Sequence, residues 1–161
     1  DVNAGWTLEE ALKKIPVLKD LGVEMIEQPL ANDNWEGMKV LFKASALPLF
    51  ADESCVSESD VEKCYGFFHG INIKLTKCSG ITPARRMIEQ AKTLNMKIMI
   101  GCMNECSVGT AAIAQLAPLV DYVDMDGPLL LAEDIASGVS FDYGRICYND
   151  LPGLGIRINP F

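Results

Sequence analysis

Four ionisable residues stand at nearly one step along this chain: Asp1, Glu27 after Val23-Glu24-Met25-Ile26, Asp52 after Leu47-Pro48-Leu49-Phe50-Ala51, and Lys74 after Ile71-Asn72-Ile73. The intervals of 26, 25 and 22 residues each accommodate one strand, one helix and two loops. Side chains at the carboxyl ends of successive parallel strands point into a common mouth, the place where α/β barrels carry their chemistry. Few folds other than a repeated βα unit satisfy this spacing.

The stretches between these residues carry the matching signals. Thr7-Leu8-Glu9-Glu10 reads as a capping box, opening a helix with Leu8, Leu12, Ile15 and Leu18 on one face and an end near Gly22. Pro16 lies inside that pattern and is expected to kink or split it. Strands are expected at 23–26, 48–51, 71–75, 97–101 and 121–125. Helices are expected at 34–45, after Ser57 with Asp60 three residues on, at 83–94, and at 107–116. Thr82-Pro83 reads as an N-cap followed by proline at the first helical position.

Strands alternating with helices imply right-handed βαβ units and a parallel sheet. The expected fold class is therefore α/β, a partial TIM-type (β/α) barrel. Five strands and the stub at Asp1 fall short of the eight strands and about 250 residues of a closed barrel. An open doubly wound sheet is the rival, but no GxGxxG or GxxxxGK[ST] phosphate loop occurs in the sequence. Residues 1–128 are expected to form the barrel part. After Gly127-Pro128 the rhythm changes, and residues 129–161 are expected to form a tail of short strands and loops outside the sheet. A chain beginning on its first functional residue is expected to be a carboxyl-terminal piece, with the first barrel strands and any amino-terminal domain missing. Its unpaired strand edges favour self-association.

Asp1, Glu27 and Asp52 are oxygen donors with no His or Cys at equivalent places, a set suited to Mg2+, with Mn2+ as substitute. The alternative is that such acids cap the following helices. Lys74 would bring an ammonium beside them, where burial and a neighbouring cation favour the neutral base; a structural ion pair is the other reading. Lys77 is expected in solvent. Strand alternation puts Asp124 and Asp126 on one face and Met125 on the other, so the pair could receive a substrate ammonium, hold a second metal, or brace a loop. Glu105 is expected to position other groups. His69, the single histidine, lies at the amino end of its strand, away from the mouth, and its isolation argues against a Ser-His-Asp mechanism.

The net charge of -8 disfavours nucleic acid and anionic membranes as partners. No apolar run reaches the length of a membrane span, and no signal peptide opens the chain. Six cysteines without a CxxC pair read as free, mostly buried thiols, which points to a reducing cytoplasm.

Asp1-Val2-Asn3, Ile26-Glu27-Gln28-Pro29, Ala51-Asp52-Glu53-Ser54 and Ile73-Lys74-Leu75-Thr76-Lys77-Cys78-Ser79-Gly80-Ile81, in this order and spacing, resemble the enolase superfamily, muconate-lactonizing subgroup. The resemblance runs through nearly the whole chain, including Pro152-Gly153-Leu154-Gly155-Ile156. Asp124-Met125-Asp126-Gly127-Pro128 resembles the dipeptide epimerases of that subgroup, most of all the L-Ala-D/L-Glu type. The resemblance implies Mg2+ held by Asp1, Glu27 and Asp52, and a substrate ammonium held by Asp124 and Asp126. It also implies a 1,1-proton transfer through an enolate, with Lys74 as one acid/base group. A small dipeptide from cell-wall recycling is the implied substrate. The family's second lysine lies in a Lys-x-Lys motif, and none occurs in this sequence. Rival readings are an N-acylamino-acid racemase, a succinylbenzoate synthase or a muconate cycloisomerase of the same subgroup, or a non-catalytic metal-binding fragment that needs a complementing segment.

Overall fold

The central strands turn aliphatic residues toward the helices, while the other face mixes polar side chains with Phe50 and Met99. The structure, a computed structural model, describes residues 1–160; Phe161, the last residue of the expected tail, lies outside them. The main elements are α1 (Leu8–Asp20), β1 (Ile26–Glu27), α2 (Trp35–Ala44), β2 (Leu49–Ala51), α3 (Glu58–Cys64), β3 (Gly70–Lys74), α4 (Leu75–Cys78), α5 (Ile81–Thr93), β4 (Lys97–Gly101), α6 (Ser107–Ala114) and β5 (Tyr122–Val123). The five strands form one parallel sheet in sequence order.

Register assigns the faces. Glu27 pairs with Phe50, Phe50 with Gly70, Gly70 with Lys97, Lys74 with Gly101, and Met99 with Tyr122. Directly paired residues face the same side and alternation carries the face along each strand. One face therefore holds Glu27, Phe50, Asn72, Lys74 and Met99, and alternation extends it to Asp52 and Asp124 beyond the strand ends. The opposite face holds Ile26, Leu49, Ala51, Ile71, Ile73, Ile98 and Ile100, all in the buried core under the helices.

The sheet curls toward the polar face. The rings of Phe50 in β2 and Tyr122 in β5 meet edge-on with centroids 5.5 Å apart. In a flat sheet three strand spacings would separate them by about 14 Å. Gly70 makes room for this contact, because a Cβ there would meet the Phe50 ring at 2.5 Å. The result is a half-barrel, the partial TIM-type architecture expected from the count of βα units.

Several local expectations change. Helix α1 runs unbroken through Pro16. Proline removes one bond, to the carbonyl of Leu12, and both residues are exposed, so water can serve the freed oxygen. For the same reason Leu12 does not belong to the buried face, which centres on Ala11 and Ile15. The first strand is displaced to Ile26–Glu27. Helix α5 begins at Ile81 with Gly80 as its N-cap, so Thr82 and Pro83 lie inside its first turn. The short helix α4 went unforeseen; it ends at Ser79 in the left-handed region (φ 72°), and Gly80 (φ 112°) then redirects the chain. The capping box at Thr7/Glu10 forms as expected, and Ser57 opens α3 as expected, its N and Oγ donating to Asp60 Oδ2 at 3.0 and 2.6 Å.

Beyond residue 128 the chain makes β6 (Ala136–Ser137) with β9 (Arg157–Ile158), and a hairpin of β7 (Ser140–Asp142) with β8 (Arg145–Cys147). These sit against α6, where Tyr148 Oη donates to Ala114 O at 2.6 Å and Asp134 accepts from Ser107 N at 2.8 Å.

Candidate functional site

The polar face of the half-barrel ends in a mouth where the strand-end residues collect. Asp52, immediately after β2, is 1% exposed, and its carboxylate is enclosed by two ammonium groups. Lys74 Nζ donates to Oδ2 and Lys77 Nζ to Oδ1, each at 2.8 Å. Lys77 is thus not in free solvent as its loop position suggested. The helical turn of α4 carries it three residues beyond Lys74 and back over the same acid.

Glu27, also buried, accepts from Asn72 Nδ2 at 2.7 Å, and Lys74 Nζ stands 3.9 Å from its Oε1. Burial pushes the Glu27 carboxyl above its ordinary pKa, and the charge of Asp52 adds to this against the opposing pull of Asn72 and Lys74. Asn72 fits because β4 offers Gly101 beside it, where a Cβ would meet the amide at 2.7 Å. Its Oδ1 is buried without a partner. For Lys74 burial acts to lower the pKa, but Asp52, Glu27 and Glu53 outweigh it and hold the ammonium above its ordinary value. This arrangement favours the charged form of Lys74; the neutral base expected from the sequence rested on burial together with a neighbouring cation.

Asp1 is exposed, its Oδ1 accepting from Asn3 N at 2.8 Å. The stretch after it runs beside β1, with Val2 N donating to Glu27 O at 3.0 Å and Ala4 N to Gln28 O at 2.8 Å. The structure thus brings Asp1, Glu27 and Asp52 to adjacent positions on one rim. It does not draw them into a closed cage. Among the described residues, the three ligand groups whose atoms all lie within 4.8 Å of one another are Cys102, Asp124 and Asp126.

The donor set of Asp1, Glu27 and Asp52 suits a hard divalent cation. It is all carboxylate, and two of its members are buried side by side, a repulsion that a cation would relieve. Loading the site would require Asp52 to give up a lysine.

Asp124 and Asp126 follow β5. Asp124 N donates to Ile100 O at 2.9 Å, which continues the strand pairing, and Met125 between them is buried while both aspartates face outward. Neither forms an ion pair among the described residues. The Asp124 carboxyl is raised by partial desolvation and then by the charge of Asp126. Cys102 Sγ donates to Asp126 Oδ1 at 3.5 Å, and burial pushes its thiol up. Two adjacent exposed carboxylates concentrate negative charge at this strand end, which suits an ammonium group or, with Cys102, a metal ion.

Glu105 is buried, and its Oε2 has no partner; its carboxyl is raised by desolvation, against the pull of the Met103 amide and Lys74. His69 is structural at the far end of the sheet: its Nδ1 accepts from Leu49 N at 3.1 Å. The residues missed by sequence reading are Lys77, Asn72 and Cys102. Only Asn72 carried a signal, being the polar residue that shares the inward alternation of Lys74.

A family model described as "Enolase C-terminal domain-like" matches residues 1–161. The L-Ala-D/L-amino acid epimerase of Flavobacterium johnsoniae is 56% identical over 158 residues, covering 98% of this chain and 47% of that protein. The substrate-liganded L-Ala-D/L-Glu epimerase from Bacillus subtilis superposes with a TM-score of 0.90 at 32% identity, over 97% of this chain and 46% of that one. A dipeptide epimerase from Cytophaga hutchinsonii, complexed with Mg and the dipeptide D-Ala-L-Val, gives a TM-score of 0.91 at 28% identity, over 99% of this chain and 45% of that one. The chain spans about half the length of the curated relatives it matches.

Proposed function

The chain belongs to the enolase C-terminal domain-like family, and on that premise we propose that the whole protein is a Mg2+-dependent dipeptide epimerase, of which this chain forms the larger part of the chemical rim. The carrying observation is the Asp124/Asp126 carboxylates, neither in an ion pair among the described residues, standing at the same end of the sheet as Lys74, Glu27 and Asp52. An ammonium receptor at that place suits a substrate with a free amino group next to the peptide bond, and the epimerase relatives favour the same reading.

In this proposal Asp1, Glu27 and Asp52 hold the cation. When bound, Mg2+ supplies positive charge that stabilises the negative charge growing on the substrate carboxylate as the α-proton leaves. Asp124 and Asp126 hold the ammonium end and so set the α-carbon against Lys74. With Asp52 and Glu27 engaged by the cation, Lys74 would lose what stabilises its ammonium, release one proton to solvent and, as the neutral amine, accept the α-proton at Nζ. In the reverse direction the same Nζ returns it. The opposite face of the α-carbon needs a second base, which we assign to a part of the whole protein outside this chain. Asn72 keeps Glu27 oriented, and Lys77 retains one oxygen of Asp52 while Lys74 moves.

The test is α-proton exchange in D2O. The whole protein with Mg2+ should exchange the α-proton of the carboxyl-terminal residue in an Ala-containing dipeptide. Asp124→Asn should raise KM for dipeptides far more than for an N-acylated amino acid. No exchange with any dipeptide, or equal effects on both substrate kinds, would overturn the reading.

A further inference from the structure

One residue at the mouth touches the segments that carry all three rim carboxylates, and the mechanism above does not use it. Gln28 directly follows Glu27 and is 0% exposed. Its Oε1 accepts from Asp52 N at 3.0 Å and from Ser54 N at 3.2 Å. Its Nε2 donates to Leu30 O and to Ser54 Oγ, each at 2.9 Å. Two acceptances and two donations saturate a primary amide. The main chain adds two bonds: Gln28 N donates to Phe50 O at 2.9 Å, and Gln28 O accepts from Ala4 N at 2.8 Å.

The backbone is strained to achieve this. Gln28 has φ 34°, in the left-handed region where a residue with a Cβ persists only if its surroundings over-determine it. That turn breaks the strand alternation. It lets the residue after Glu27 aim at the Asp52 loop instead of pointing away under the helices. A packing role would be met by an apolar side chain of the same volume. A saturated amide aimed at the backbone of Asp52 does something more specific, because the direction of a buried carboxylate follows from where its own main chain sits.

We propose that Gln28 is a positioning residue for the carboxylate set: its side chain fixes the Asp52-Glu53-Ser54 loop, and its carbonyl ties the Asp1 segment to the same point. Glu27, Asp52 and Asp1 are thereby held in one frame. This rests on the proposal that those three groups bind a divalent cation.

The experiment measures Mn2+ affinity of the whole protein by the loss of the free-ion EPR signal, with thermal midpoints recorded in EDTA. Gln28→Met keeps the volume and removes every side-chain bond. It should weaken Mn2+ binding by about 10–100-fold, the size of effect seen when groups that orient metal ligands are removed. Gln28→Glu keeps acceptor oxygens for the Asp52 and Ser54 amides and should recover most of that loss, although its thermal midpoint also falls. A merely structural role would lower both midpoints and leave affinity unchanged. If Gln28→Met does not fold, Gln28→Asn, one methylene too short to reach both amides, takes its place with the same expectation. Parent-like Mn2+ affinity in the folded Met or Asn variant overturns this inference alone, as does a Gln28→Glu variant no tighter than Gln28→Met. A parent protein that binds no Mn2+ overturns the metal reading and this inference together.

Discussion

Replacing Asp52 by asparagine in the cation-free protein separates the electrostatic frame of the mouth from its chemistry. Asp52 is 1% exposed and accepts from Lys74 and Lys77 at 2.8 Å each. The side chains of the two lysines are 13% and 23% exposed. A hydrogen bond involving a charged group contributes about 1.5–3 kcal/mol, and removing one partner of a buried ion pair costs about 3–5 kcal/mol. The loss is smaller here for two reasons. The asparagine oxygen still accepts from one lysine, and the more exposed Lys77 can turn toward water. The balance is a destabilisation of about 2–3 kcal/mol, centred on Lys74, the less exposed of the two cations and the one also facing Glu27. Urea unfolding in EDTA, followed by fluorescence of Trp6 and Trp35, reads this directly. With a slope of about 2 kcal/mol per M, the midpoint should fall by about 1–1.5 M without a change of slope. A midpoint within error of the parent would refute the reasoning, since it would mean that the two lysines contribute nothing once solvation is counted. Lys77→Met should cost less than Asp52→Asn, because Lys74 remains to pair with the acid.

Two further outcomes follow from the geometry. His69 is held below its ordinary pKa by burial while its Nδ1 accepts from Leu49 N, so below pH ~6.5 the unfolded chain binds a proton that the folded one refuses, and stability falls as pH drops. His69→Gln should remove that portion of the pH dependence between pH ~7.5 and ~5, measured as the difference in urea midpoint between parent and variant; identical slopes in both would contradict it. Gly101→Ala brings a Cβ to 2.7 Å from the Asn72 amide, which should cost about 1–3 kcal/mol of stability and weaken Mn2+ binding through Glu27; unchanged calorimetric and EPR readings would contradict it.

The repeat of strand and helix and the opening of α3 at Ser57/Asp60 were legible in the chain because each depends on neighbours a few residues away, and the ladder Glu27, Asp52, Lys74 because it marks the end of successive repeats. Strand-end spacing placed Glu27, Asp52 and Lys74 at one mouth, and alternation set Asp124 and Asp126 on one side with Met125, which is buried, on the other. The start of α5 was misread because Thr82-Pro83 is a sound opening for a helix. Ser79 and Gly80, both at positive φ, turn the chain two residues earlier, and a turn made by a non-glycine residue in the left-handed region leaves little trace in composition.

What only the tertiary structure decided lies between segments. Lys77 reaching Asp52, Asn72 reaching Glu27 and Cys102 reaching Asp126 join residues 25, 45 and 24 positions apart. Those meetings depend on strand register and on the curl that brings Phe50 to Tyr122. Local periodicity determines where a side chain points; the identity of the partner it finds there depends on how the sheet closes, and that is a property of all five strands at once.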